Sequence, residues 1–369
     1  MKLTADEQAM LVGEQGPVRQ WAIRHQISVG EFFDAEDFVP VAQAHVMADT
    51  ESLGDSGVSW LESIAATPGT RVVVPTITDP RGLDLATYKR LRQTETMVGL
   101  ETRTSRAFEK LGVLMTNTCI NYQTVLPAVR GEHLAMGDTG VTIYVNSVMG
   151  AHSNFEGGPS ALAAGLTGRT PRYGYHLTRH RCGTRHFELK QRPRDLADWG
   201  ALGGIVGRIA NSYWEVPVIS GVGAAPTSDE LKHLGTAMAS FGSVALFHIP
   251  GITPEAATPA EAFHGGDVPE PTVIGADDFS RFYSGYAQVG EKVDVVVFGA
   301  PQLSIVEMQG LATLLDGRRV HDGTTLLVTT SPEVKHSADR MGLTGRIEAA
   351  GGVVASGICF YQSYAREMG

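Results

Sequence analysis

Cys119 and Cys359 are two of only three cysteines in this 369-residue chain. Each stands just past an apolar run that reads as a buried strand, residues 112–116 for the first and 352–356 for the second. Two thiols at the carboxyl ends of strands can meet over a sheet and hold a soft metal centre; they can equally be inert buried thiols. A second set, His176-x-x-x-His180-x-Cys182-x-x-x-His186, has the residue types of a zinc site. Arg179, Arg181 and Arg185 crowd the same stretch and oppose a cation, and residues 186–190 alternate like a strand, so a solvated basic hairpin competes with zinc. Gly203-Gly204-Ile205-Val206-Gly207 lies inside a helix expected over 195–210, not after a strand, which makes it a weak dinucleotide loop. The chain carries no phosphate loop ending in Lys-Ser/Thr, no Gly-x-Ser-x-Gly elbow and no His-Glu-x-x-His.

The elements that must position these residues follow from the pattern. Thr4-Ala5-Asp6-Glu7 is a capping box for a short helix that Gly13 stops, and Pro17 sits in the first turn of the next. Helices are expected over 56–65 and 101–111 and from Asp84, with strands at 71–75 and 141–145. Glycines crowd 131–174, as loops that approach a ligand by backbone would, or as plain turns. From residue 216 short apolar strands (216–220, 243–249, 293–298, 325–328, 352–356) alternate with helices (228–241, 304–315, 332–341), interrupted by a looser linker at 250–271. That alternation predicts an α/β fold, with parallel sheets covered by helices on both faces and sites at the strands' carboxyl ends. The composition divides the chain near residue 210, into a 1–210 part with glycine-rich site loops and a more regular 211–369 part.

With 43% hydrophobic residues the chain can bury a sizeable core, which excludes a disordered protein. Net charge is −10 with no long basic stripe, so nucleic acid is not an expected partner. No apolar run approaches the ~18 residues that span a bilayer. Three dispersed cysteines and an acidic start without an apolar core point to a cytoplasmic protein.

The chain resembles the large subunit of the aconitase X family along nearly its whole length. The resemblance is carried by Gly13-Glu14-x-Gly16, Ala44-His45, Gly54-Asp55-x-Gly57 and Pro80-Arg81-Gly82-x-Asp84. Further matches are Thr118-Cys119 with Tyr122, Gly131-Glu132-His133, Tyr144-x-Asn146-Ser147 and Asn154-x-Glu156-Gly157-Gly158-Pro159. Gly168-Arg169-Thr170-Pro171 and Gly251-x-Thr253-Pro254-Glu255-Ala256 continue it. The resemblance implies an aconitase-like fold and an iron–sulfur hydro-lyase acting on a small hydroxy acid, as in the dehydration of cis-3-hydroxy-L-proline or mevalonate 5-phosphate. It also implies a small swivel-domain subunit as partner, which supplies a serine base. On the matching positions, Cys119 and Cys359 become metal ligands and Glu132 and His133 acid–base candidates. His45, Asn146, Ser147 and Arg169 become substrate-binding, with Arg169 as clamp for the anionic end.

Departures from the family fall on the chemistry. Where the family carries Gly-Cys-Pro-His, this chain has Gly299-Ala300-Pro301-Gln302. The family's Asp-Thr-Cys is Gly357-Ile358-Cys359, its Glu-Ser-Ser-Ala is Asp138-Thr139-Gly140-Val141, and the chain ends at Gly369 before the family's Asn-Ser-x-Lys stretch. Alanine cannot ligate a metal, so a three-cysteine cluster cannot form unchanged. Three readings remain: a hydro-lyase or isomerase with an altered or lost iron centre, a cluster-free enzyme using acid–base chemistry on another small anion, or a non-catalytic binding subunit.

Overall fold

Local signals set most helix ends. The Thr4 hydroxyl and the Glu7 carboxylate close a capping box at the start of Ala5–Val12, and Gly13, at φ +88°, ends that helix. Pro17 opens Pro17–Phe32. Asp195 caps Leu196–Ala210, Thr227 caps Ser228–Gly242, and Ser304 caps Ile305–Leu314, each by accepting a backbone N–H of the first turn. The computed structural model describes residues 1–47, 49–286, 290 and 292–368.

The chain forms two compact units, and neither is continuous. One comprises Met1–Gln43, Ala128–Ala164 and Gly168–Val289; the other comprises Ala44–Pro127, Gly165–Thr167 and Gly290–Gly369. The expected division near residue 210 is therefore not where the compact units part.

In the first unit, the strand Arg185–Leu189 lies between Pro217–Ser220 and Thr272–Ile274 and is parallel to both. Phe187, Val218 and Ile219 are fully buried. The helices Leu196–Ala210 and Ser228–Gly242 cross with their backbones almost touching. A Cβ on Gly203 would lie 2.2 Å from the Leu234 carbonyl oxygen, and one on Gly242 would lie 2.0 Å from that of Gly207. The Gly203-Gly204-x-x-Gly207 run is thus a helix-crossing surface, which is why it does not follow a strand. A separate antiparallel pair joins Phe38–Pro40 to Arg169–Pro171.

In the second unit, Thr325–Thr330 is the centre of a parallel three-stranded sheet with Val295–Leu303 and Val353–Ser356. Its core joins Leu327, Val353, Ala355 and Ile358 to Leu91 from a distant part of the sequence. Ala44–Val46 pairs in parallel with Thr76–Thr78. The helix Thr50–Ala66, kinked at Gly54, packs on Glu95–Leu111. The α/β class with parallel sheets agrees with the sequence.

Several expected elements differ. Residues 141–145 are not a strand but part of the helix Thr139–Ser147, which Asp138 caps through Val141 N–H. Every residue from Gly140 to Ser147 is buried, so the run carries no solvent face whose period could reveal the helix. Residues 243–249 contribute only an isolated bridge, His248 to Val218, and 112–116 only Leu114 to Ile77. The strand expected at 71–75 falls at Thr76–Thr78, after Pro75. Asp84 caps a run of turns, by accepting from Ala86 N–H, and the next helix starts at Glu95. The basic hairpin does not exist: Arg185–Leu189 is a central parallel strand, and Arg181 is 1% exposed.

Candidate active site

In the second unit, the strand Val295–Leu303 bulges at its carboxyl end. Phe298 pairs with Val328 and Leu303 with Thr330, so residues 299–302 stand opposite Thr329 alone. Only glycine fits at 299, where a Cβ would lie 2.3 Å from the Thr329 hydroxyl oxygen. The bulge includes the cis peptide Ala300-Pro301 and is gripped from both sides by cysteine. Cys359 Sγ donates to the Gly299 carbonyl at 3.4 Å, and Cys119 Sγ accepts from Gln302 N–H at 3.5 Å. The two cysteines that the sequence singled out therefore converge on one four-residue segment, and both are buried.

Behind Cys119 lies a buried imidazole. His45 Nε2 is 2.9 Å from the Thr118 carbonyl, which fixes the proton on that nitrogen, and 3.5 Å from Asp79 Oδ1. His45 Nδ1 is buried with no hydrogen-bond partner among the described residues. Complete burial pushes this imidazole down to about 4, so it is neutral at neutral pH. Asp79 accepts from Gln362 Nε2 at 2.7 Å.

Two residues further along, Arg81 bridges to Ile358, the neighbour of Cys359, and its backbone N–H donates to the Gly357 carbonyl. Its guanidinium faces Glu101, which stands on the buried stripe Glu101, Thr104, Phe108 and Leu111 of the helix Glu95–Leu111. Burial raises the Glu101 carboxyl to about 7, against the opposing pull of Arg81. Arg81 Nε and Glu101 Oε1 are 3.8 Å apart, and neither has a hydrogen-bond partner among the described residues. The other Glu101 oxygen accepts from Thr50, which in turn accepts from Tyr364. In the sequence Arg81 stands out only as a motif residue, and Glu101 and Asp79 do not stand out. The available signal was a glutamate at an inward position of an amphipathic helix.

The remaining expected site residues belong to the first unit, and most are already engaged. Arg169 does not present a free fork: its guanidinium donates to Asp6 at 2.7 Å and Glu7 at 2.9 Å. Asn146 does not offer donors to a substrate either, since Nδ2 donates to the Ser153 and Ala245 carbonyls and Oδ1 accepts from Ser153 N–H. Ser147 Oγ accepts from Phe247 N–H. Glu132 closes a local turn by accepting from Val129 N–H.

His133 is differently placed. Its Nδ1 is 2.9 Å from His176 Nδ1, and its ring lies 4.9 Å from that of His152. Burial lowers all three, His152 to about 4 and His176 well below the usual range, with Arg181 adding repulsion. Arg181 is the hub of this region. It pairs with Glu255 and donates to the carbonyls of Asn146, Ala151 and Tyr175.

The zinc-like set does not converge. His186 is held by Ser220 and the Pro269 carbonyl, while His180 and Cys182 line a cavity of about 780 Å³ with Phe33, Tyr173 and Trp214. Among the described residues no group of three or more His, Cys, Asp or Glu is placed to hold a metal ion. No helix among them is long and apolar enough to cross a membrane.

Comparison with known proteins covers nearly the whole chain. The aconitase X first, second and third domains match residues 1–179, 183–284 and 293–369. The phosphomevalonate dehydratase large subunit of Methanothermobacter thermautotrophicus is 35% identical, over 100% of this chain and 90% of that protein. The cis-3-hydroxy-L-proline dehydratase of Pseudomonas aeruginosa is 29% identical, over 97% of this chain and 62% of that protein. The crystal structure of Thermococcus kodakaraensis aconitase X (holo-form) superposes with a TM-score of 0.88 at 28% identity, covering 99% of this chain and 90% of that one.

Proposed function

Because the chain belongs to the aconitase X family, we propose that it is a hydro-lyase that removes water from a small anionic hydroxy acid. Relatives named as dehydratases of phosphomevalonate and of cis-3-hydroxy-L-proline support that reaction class. The observation that carries the reading is the Arg81–Glu101 ion pair, 3.8 Å apart, whose facing atoms Nε and Oε1 have no hydrogen-bond partner among the described residues.

Dehydration needs a group that takes a proton from carbon and a proton for the departing hydroxide. A carboxyl poised at about 7 exists in both forms at neutral pH, so Glu101 can accept or return a proton. Arg81 holds the anionic end of the substrate, a role for which a planar two-pronged cation suits carboxylate or phosphate. His45, neutral and oriented by Thr118 and Asp79, positions the segment that carries Cys119. Arg169, Asn146 and Ser147 hold the scaffold, and Glu132 and His133 stay assigned to the first unit's own network.

The family resemblance raises an iron–sulfur centre, and the donors present do not fit one. Two sulfurs meet the bulge, position 300 offers only a methyl group, and the Gln302 carboxamide is hydrogen-bonded to backbone beside both cysteines. The partner is read as a small subunit, in line with relatives named as large subunits.

The test is co-expression with a candidate small subunit and assay of water loss from mevalonate 5-phosphate, cis-3-hydroxy-L-proline and other small hydroxy acids. Arg81→Lys is expected to lower kcat/KM at least about tenfold with the melting temperature retained. Absence of turnover on every acid, with and without the small subunit, would reject the hydro-lyase reading in favour of a binding subunit.

A further inference from the structure

We propose that Gln302 takes the structural place of a metal centre in this chain, tying together by hydrogen bonds the strand ends that flank the two cysteines, so that the fold needs no iron. This goes beyond the hydro-lyase reading and does not rest on it.

Gln302 is fully buried, in the bulged part of the strand Val295–Leu303. Its Nε2 lies 3.2 Å from the Asn117 carbonyl, 3.3 Å from that of Thr330 and 3.1 Å from that of Ile358. Its Oε1 accepts from Cys119 N–H at 3.3 Å. One carboxamide thus touches the segment before Cys119, the end of the central strand and the residue before Cys359. Two of these pieces carry the cysteines, and Gln302 itself stands on the bulge that both sulfurs meet. The two N–H groups of a neutral amide are shared among these three carbonyls, and leaving buried carbonyls unpaired is costly.

Each thiol is engaged by the bulge: Cys359 Sγ donates to the Gly299 carbonyl at 3.4 Å. Cys119 accepts from Gln302 N–H. Ala300, in the segment both sulfurs meet, has no metal-donor atom in its side chain. Iron–sulfur clusters are held by three or four cysteine thiolates, and two thiols around an amide do not provide that set.

Two measurements decide. The full chain, expressed and reconstituted anaerobically with iron and sulfide, is expected to show no iron or sulfide above the buffer blank and no absorbance near the visible bands of clusters. Iron and sulfide at about one cluster per chain would overturn the proposal outright. That assay uses neither substrate nor variant, so its outcome is independent of whether the hydro-lyase reading survives. Gln302→Met keeps the volume and removes the hydrogen bonds. It is expected to lower the melting temperature by roughly 4–10 °C, with or without a chelator present. An unchanged melting temperature would show that the carboxamide is not the tie.

Discussion

At the residue scale, a carboxyl in the buried stripe of Glu95–Leu111 makes stability depend on pH. Glu101 titrates at about 7 in the fold, against an ordinary 4.5. Between those values the folded chain binds more protons at this site than the unfolded one. Its contribution is therefore fully present below about pH 4.5 and is lost as pH rises through about 7. His45 and His152, lowered to about 4, act with the opposite sign, since the unfolded chain binds the extra protons and stability falls as the solution acidifies. Glu101→Gln fixes the neutral form. It is expected to stabilise the protein at pH 8, by an upper bound of about 3 kcal/mol, and to change little at pH 5. Urea titrations at the two pH values check this, and an equal effect at both would mean the carboxyl is not held up by burial. Single residues were the least legible part of the sequence. Arg169 has the type and motif of an anion clamp, but Asp6 and Glu7, more than 160 positions earlier, claim both arms of its fork. Glu101 was hidden for the converse reason, because glutamate on a helix is usually solvated and only packing makes it unusual.

At the element scale, the helix starts at Thr4, Asp195, Thr227 and Ser304 were legible because they are written locally in caps, whereas Thr50–Ala66 and Glu95–Leu111 each begin six residues before the expected start. Buried runs were read poorly. Residues 141–145 look like a strand, since β-branched residues fill both kinds of buried element and the distinguishing contacts come from elsewhere in the chain. The glycines of Leu196–Ala210 give a sharp test within one helix. Gly200 has open space where a Cβ would sit, while at Gly203 a Cβ meets the Leu234 carbonyl oxygen at 2.2 Å. Gly200→Ala is expected to stabilise by up to about 1 kcal/mol through helix propensity. Gly203→Ala, three residues on, is expected to cost roughly 1–3 kcal/mol because backbone must move. Denaturant midpoints of the two variants carry opposite signs if the crossing is as close as described, and equal shifts would show that it is not.

At the scale of the whole molecule, the α/β class and the family were legible from ordered motifs, but the division of the chain was not. Composition changes near residue 210, whereas the compact units interleave along the sequence. A fragment of residues 211–369 lacks Arg185–Leu189, the strand between Pro217–Ser220 and Thr272–Ile274, and also lacks Leu91 of the second unit's core. It is expected to show no cooperative unfolding by calorimetry, and a sharp transition would restore the boundary that composition suggests. The interleaving also bears on inheritance. Each unit draws on both early and late sequence, so a single recombination event between two related genes cannot hand over one unit whole while leaving the other whole. Exchange at any point between residues 44 and 289 leaves both units mixed, and their two halves of ancestry must then agree side chain by side chain. The two units therefore cannot be inherited separately through a single exchange.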